Sequence, residues 1–175
     1  GCEDATLWRG GTAVVEPRKA GQAALRWDHH VANPSLQCLP VPADLSAFNT
    51  MSFWLHSSQA NNATFMIIAA SAREPASFSY YSQKVTVDWT GWKQLRFHFR
   101  SFGRAREPAG WHKIDSLRFT ASGWDQAPTD DSVWVLDELD FSFDPMPYRP
   151  MPKVAKYLQE PAPADFLARL RPQHP

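Results

Sequence analysis

The sequence predicts an all-β fold, an antiparallel β-sandwich or barrel, followed by a Pro-rich C-terminal linker and a short helical tail. Two observations predict the β-rich part. Over residues 1–143, polar and apolar residues alternate with a period of two, and turn-forming residues interrupt this alternation about every ten positions. Hydrophobic residues also make up 43% of the 175-residue chain, which is enough for one packed core.

The predicted strands follow from this alternation, and clusters of Pro, Gly, Asn and Asp separate them. The strands comprise residues 23–27, 51–56, 64–70, 80–87, 93–100, 116–120 and 133–143. Between the first two strands, an extended Pro40-Val41-Pro42 segment leads into residues 44–46, for which we predict a short helical turn.

The last part of the chain has a different composition. Residues 144–152 contain four prolines, so neither a strand nor a helix can continue through them, and a stiff extended linker is expected. Two short helices are predicted beyond it, over residues 154–159 and 164–171, but this tail has too little apolar surface to fold alone. We therefore divide the chain into a β-sandwich domain, residues 1–143, and a linker and tail, residues 144–175, that lie along the sandwich or lead into a further domain.

Composition excludes several classes of partner. Eighteen Lys and Arg residues balance eighteen Asp and Glu residues, so no overall charge favours nucleic acid or a membrane surface. No apolar run approaches the ~20 residues of a membrane span, and no signal peptide is recognisable, as expected of a mature or trimmed form. Three explanations of Gly1-Cys2 stay open: a lipid on Cys2, a disulfide between Cys2 and Cys38, or a cloning remnant at Gly1.

The faces of the predicted strands indicate where a ligand would bind. In residues 93–100, Leu95, Phe97 and Phe99 alternate with polar residues and are expected to face the core. If neighbouring strands share a sheet, their polar sides form one surface that comprises Trp54, His56, Gln94, Arg96, His98 and Arg118. Planar amide, guanidinium and imidazole groups there would pair with hydroxyls or carboxylates of a ligand. Simple solvation of a polar face is the alternative.

Two loop tips form a second candidate site, because Trp111 and Trp124 each follow a glycine. Basic residues surround the first of them: Arg104, Arg106, His112 and Lys113. The C–H face of a sugar stacks on indole, and flanking cations suit an acidic sugar. Alternatively, both tryptophans close the open ends of the sandwich.

Motifs for catalysis are missing from the sequence, so we predict a non-catalytic domain. It has no nucleophile elbow, phosphate-binding glycine loop or zinc-binding pair. Asp137 and Glu138 would point to opposite faces of a strand, which excludes a carboxylate pair. Asp137 follows a buried Trp-Val-Leu run and therefore needs hydrogen bonds or a cation. A calcium ion with Glu3 or Glu16 and carbonyls around Lys19, or an ordinary hydrogen-bonded Asp, would satisfy it.

The order of several short segments along the chain resembles that of a known protein family. The order of the segments 21–27, 44–46, 51–55, 87–93, 110–114 and 136–139 resembles that of galactose-binding-like jelly-roll carbohydrate-binding modules. The chain looks most like the non-catalytic sandwich domain that precedes the catalytic toroid of bacterial heparinase II/III-like polysaccharide lyases. Residues 166–175 are similar to the segment that leads into such a toroid.

The resemblance implies two antiparallel sheets and a structural calcium ion held by Glu3, the carbonyl of Lys19 and Asp137. It further implies a polysaccharide ligand, with a uronic-acid polymer favoured by the exposed arginines, and a neighbouring catalytic domain as partner. The location implied is secreted, periplasmic or on the cell surface of a bacterium. A structural domain that packs against a lyase without binding sugar is the alternative function.

Overall fold

The computed structural model describes residue 2 and residues 4–39, 41–75, 77–126 and 128–145. Eleven β-strands and two short 3-10 helices, Ala5–Leu7 and Phe99–Ser101, make up the regular structure of these residues. The strands are β1 (Trp8–Arg9), β2 (Thr12–Val14), β3 (Ala24–Trp27), β4 (Ser35–Cys38), β5 (Thr50–Ser57), β6 (Ala63–Ala70), β7 (Tyr80–Val87), β8 (Gly91–His98), β9 (Gly103–Ala105), β10 (Ser116–Thr120) and β11 (Trp134–Ser142). The prediction of an all-β domain is confirmed.

The strands form two antiparallel sheets packed as a jelly-roll sandwich. One sheet has six strands in the order β1-β4-β10-β6-β7-β9, and the other has five in the order β2-β3-β11-β5-β8. The chain crosses between the sheets repeatedly, since β5 and β8 belong to the five-stranded sheet and the intervening β6 and β7 to the six-stranded one. Each sheet therefore has an inner face on the core and an outer face.

Aromatic side chains from both inner faces fill the core. Phe53 of the five-stranded sheet meets Phe119 of the six-stranded sheet edge to face, with ring centroids 5.4 Å apart. The ring centroids of Phe65 and Trp134 lie 5.2 Å apart across the same interface. Pairs of this kind stabilise by about 1 kcal/mol beyond their buried area. His30 is buried against Trp134 at 4.2 Å, so it belongs to the core.

All seven predicted strands occur, and each end lies within two residues of its predicted position. Four short strands escaped prediction: β1, β2, β4 and β9. The predicted helical turn at residues 44–46 is instead a non-helical turn, in which the Phe48 N–H donates to the Leu45 carbonyl at 3.0 Å. The predicted tail helices and all of the predicted linker beyond Pro145 lie outside the described residues, so the domain boundary stays a prediction.

Two further expectations concern the termini and membranes. In this structure Cys2 and Cys38 are both free thiols, and burial raises the pKa of Cys2 to about 12. Among the helices of the described residues, none has the length and apolar character to cross a membrane.

Candidate functional site

The outer face of the five-stranded sheet carries most of the predicted binding residues. Strands β5 and β8 are neighbours, and their register places Trp54 opposite Gln94 and Ser52 opposite Arg96. His56 follows Trp54 by two residues and points to the same side. These side chains thus share one surface, as the alternation predicts, while their role in ligand binding stays a prediction.

Intramolecular contacts already engage the planar groups of this face. The Lys19 Nζ lies 4.0 Å from the centroid of the Trp54 ring, a cation–π contact that covers one side of the indole. The Arg96 Nη2 lies 2.9 Å from the Asp144 Oδ2. A ligand would have to displace Lys19 to stack on that side of Trp54, and would compete with Asp144 for Arg96.

Of the two remaining residues predicted for this surface, one lies on it and the other does not. His98 is paired with Thr50 and follows Arg96 by two residues, so it points to the same side of β8. His98 ends β8, and its Nδ1 accepts a hydrogen bond from the backbone N–H of Arg100 at 3.1 Å. Arg118 lies in the six-stranded sheet, where β10 places it between Gln37 and Ile68 of the adjacent strands. The predicted convergence of Arg118 with Trp54 is therefore wrong. Alternation assigns a residue to a face of its strand but does not indicate to which sheet that strand belongs.

The outer face of the six-stranded sheet carries an exposed aromatic cluster, here named the aromatic ridge, formed by Phe78, Tyr80 and Trp124. The Tyr80 ring centroid lies 5.0 Å from that of Phe78 and 5.7 Å from that of Trp124. The Trp124 Nε1–H donates to the Tyr80 Oη at 2.8 Å, which fixes the indole. Phe78 and Trp124 are 44% and 37% exposed, so the ridge presents ring surface to solvent.

A strained turn positions Trp124. Gly123, Trp124 and Asp125 all have positive φ, at 83°, 55° and 61°, and the Gln126 N–H closes the turn on the Gly123 carbonyl at 3.1 Å. A non-glycine residue in this region costs of the order of 1 kcal/mol or more, and such strain concentrates at functional sites. The turn directs Trp124 from the end of β10 to Tyr80 at the start of β7.

The surface beside the ridge suits the approach of an extended ligand. The outward-facing residues beside Tyr80 are small: Ala70, Ser82, Gly103, Ala105 and Ser116. Ile68 separates one of them, Ser82, from Arg118. Arg118 lies two strands from Tyr80, which corresponds to about 10 Å across the sheet. Within the described part of the chain, the Arg118 guanidinium has no hydrogen bond or ion pair. Its donors are therefore available next to an aromatic platform.

Trp111, the other predicted loop-tip residue, packs inside the molecule. Its ring is stacked on Phe99 at 3.9 Å and on Tyr81 at 4.4 Å, with Phe102 against its edge at 5.3 Å. Trp111 therefore closes one end of the sandwich and presents no free ring face to a sugar. Of the two predicted loop-tip residues, Trp124 has the exposed position.

The Asp137 carboxylate fits a hydrogen-bonded role better than a calcium site. Its Oδ2 accepts the backbone N–H groups of Lys19 and Ala20 at 2.8 and 3.1 Å, and its Oδ1 accepts that of Glu138 at 2.7 Å. Amide protons thus surround the carboxylate where a cation would need oxygen ligands. The described residues hold no group of three or more His, Cys, Asp or Glu side chains suited to a metal. Glu3 lies outside the described residues, so calcium binding stays a prediction.

Sequence reasoning did not assign Phe78 and Tyr80 to a ligand site, although a signal was present. They are two residues apart at the entrance to β7 and so point to the same side, opposite to the core residue Tyr81. The contact with Trp124 was not predictable, because it joins positions 44 residues apart in the chain.

Comparison with known families and structures fits this architecture. Residues 40–110 match the family model of a carbohydrate binding domain, family 11, and this range includes Phe78 and Tyr80. No curated protein matches the chain significantly.

Several solved structures share the fold. The family 11 carbohydrate-binding module from Clostridium thermocellum, in complex with a β-1,3-1,4-mixed-linked tetrasaccharide, is 18% identical, with 81% of this chain and 91% of that chain covered and a TM-score of 0.58. The family 30 module of a cellulosomal cellulase from the same organism is 13% identical, with 78% and 83% covered and a TM-score of 0.58. The family 11 module of another of its cellulosomal cellulases is 19% identical, with 78% and 83% covered and a TM-score of 0.54.

The fold is that of these carbohydrate-binding modules, and residues 40–110 match the model of one of their families. The predicted resemblance to jelly-roll carbohydrate-binding modules is thus confirmed at the level of fold. Its narrower part, the sandwich domain of heparinase II/III-like lyases, finds no counterpart in these matches and stays a prediction.

Proposed function

We propose that this domain binds a polysaccharide along the outer face of the six-stranded sheet and thereby holds a polysaccharide-degrading enzyme on its substrate. The aromatic ridge carries the proposal, because its Trp124 is exposed and held in one orientation by the hydrogen bond to Tyr80. Arg118 on the same face would donate hydrogen bonds to sugar hydroxyls or carboxylates.

Preorganisation is the physical reason to favour this face. An aromatic side chain fixed before binding loses little conformational entropy when a ligand stacks on it. On the opposite sheet, Trp54 is covered by Lys19 and Arg96 is paired with Asp144. Binding there would first require breaking these contacts. The ridge therefore offers more net binding energy than the predicted face around Trp54.

The fold neighbours suggest the first ligand to test. One of them is described with a β-1,3-1,4-mixed-linked tetrasaccharide, so a mixed-linkage β-glucan is the first candidate for this chain. A uronic-acid polymer is the second, because Arg118 and Arg106 lie on or beside the ridge, the latter with its guanidinium 5.9 Å from the Phe78 ring centroid. Secretion and a neighbouring catalytic domain, for which we favour a lyase, belong to the same proposal.

Affinity electrophoresis and calorimetry with both polysaccharides test the proposal. The wild-type chain is expected to bind at least one of them, and Trp124→Ala should weaken binding about 30-fold, as expected for a central aromatic contact of about 2 kcal/mol. Trp54→Ala is the matched control on the opposite sheet and should leave affinity unchanged.

Two other results would overturn the proposal. A loss of affinity in Trp54→Ala alone would place the ligand on the five-stranded sheet. No binding of any polysaccharide by the wild-type chain would favour the alternative of a structural domain that packs against a catalytic partner.

A further inference from the structure

A cavity of about 470 Å³ opens at the end of the sandwich that Trp111 closes. Its walls combine two kinds of side chain. Tyr81, Phe99 and Trp111 form an apolar wall, and Arg100, Arg104 and His112 contribute basic groups. A volume of this size is typical of sites for small organic ligands.

Local structure brings the two arginines together. Strand β8 ends at His98, and the 3-10 helix Phe99–Ser101 then turns the chain so that Phe99 is buried while Arg100 is exposed. The chain returns in β9, where Arg104 lies opposite Tyr81, on the side of the strand that faces the cavity. Arg100 and Arg104 therefore line one cavity from the two sides of a short chain reversal.

The charges of this cavity are not neutralised within the described residues. Neither the Arg100 nor the Arg104 guanidinium has a hydrogen bond or ion pair there, and no Asp or Glu side chain lines the cavity. The carboxylate of Asp44 lies near enough to His112 to feel its charge, and its pKa is held below its ordinary value mainly by hydrogen bonds from Ser46 and in small part by that charge. Two unpaired cations beside an apolar wall favour an anionic ligand.

We propose that this end cavity binds a hexuronate residue of an acidic polysaccharide, with its carboxylate paired to Arg100 and Arg104. Both ring faces of Trp111 are already stacked, so the sugar would contact the edge of the aromatic wall. That wall keeps water from one side of the ion pair and so strengthens it. The site is separate from the aromatic ridge and does not depend on it.

Calorimetry on the full chain tests this inference with three oligosaccharides: an oligogalacturonate, its methyl ester and a neutral oligoglucan. The wild-type chain should bind the oligogalacturonate, and esterification should weaken binding at least tenfold because it removes the charge. Arg104→Gln should cause a similar loss. Arg18→Gln, which removes an equal charge from the loop between β2 and β3, outside both proposed sites, should leave this affinity within about twofold. Thermal melting of both variants verifies the fold.

Several results would overturn the inference. Equal binding of the ester, an equal loss in Arg18→Gln, or binding of inorganic sulfate as tight as that of the oligogalacturonate would each exclude a hexuronate site. The proposed function fails separately, because it depends on Trp124→Ala. A chain that binds β-glucan through Trp124 but no uronate would retain the first proposal and refute this one.

Discussion

Replacement of the buried Asp137 tests how strongly its hydrogen bonds hold the loop between β2 and β3 against the five-stranded sheet. The carboxylate accepts three backbone N–H groups, two of them from Lys19 and Ala20 in the loop between β2 and β3. In Asp137→Asn, an amide NH2 takes the place of one acceptor oxygen, so at least one donor loses its partner. An unsatisfied buried donor costs about 1–3 kcal/mol, and a hydrogen bond to a charged group contributes about 1.5–3 kcal/mol.

We therefore expect Asp137→Asn to lower the free energy of unfolding by about 3 kcal/mol. For a domain of this length, that change corresponds to a fall in Tm of about 6–12 °C. Differential scanning calorimetry measures it, with Asp140→Asn, an exposed carboxylate on the same strand, as the matched control. The control should melt within about 1 °C of the wild type, as surface substitutions usually do.

The same experiment distinguishes hydrogen bonding from the predicted calcium ion. If backbone N–H groups alone satisfy Asp137, EDTA leaves the wild-type Tm unchanged. A fall of several degrees in EDTA that calcium reverses, and that Asp137→Asn abolishes, would refute the hydrogen-bond account and establish the metal.

Three further predictions concern the ridge and the end of the sandwich. Tyr80→Phe removes the acceptor of the Trp124 indole N–H, so polysaccharide affinity should fall about fivefold with little change in Tm. An unchanged affinity in calorimetry would show that the hydrogen bond does not position Trp124. In Gly123→Ala, a residue with a side chain must adopt a φ of 83°, although no atom lies within 4 Å of the added carbon. The free energy of unfolding in urea should fall by about 1 kcal/mol, and an unchanged value would contradict the turn geometry. Trp111→Ala should cost about 3–5 kcal/mol in the same assay, and a loss below about 1 kcal/mol would show that this residue is not packed as described.

Much of the fold was predictable because hydrophobic alternation records burial directly. Strands β7 and β10 have the predicted bounds, since buried residues such as Tyr81, Val85 and Leu117 alternate with more exposed neighbours. Strands β1 and β9 contain two and three residues, too few for any periodicity to be visible. These short strands form because the edges of longer strands offer them backbone hydrogen bonds. Such edges exist only in the folded domain, so the local sequence does not indicate them.

The candidate site was less predictable, for a related reason. The pattern placed Trp54 and Gln94 on one face correctly, because a register between neighbouring strands preserves alternation. It misplaced Arg118, because sheet membership depends on how the chain crosses between layers. The glycine before Trp124 indicated an exposed turn, but the partner Tyr80 comes from a distant segment. The local sequence indicates that a side chain is exposed. Which exposed side chains lie together is known only from the fold.

A nuclear magnetic resonance titration of the indole N–H groups tests the central claim most directly. Trp124 and Trp54 lie on opposite outer faces, and each indole gives its own resonance. On addition of a polysaccharide fragment that the chain binds, the Trp124 Nε1–H resonance should shift with saturation while that of Trp54 stays in place. A saturable shift of Trp54 with no response from Trp124 would contradict the assignment of the binding face to the six-stranded sheet.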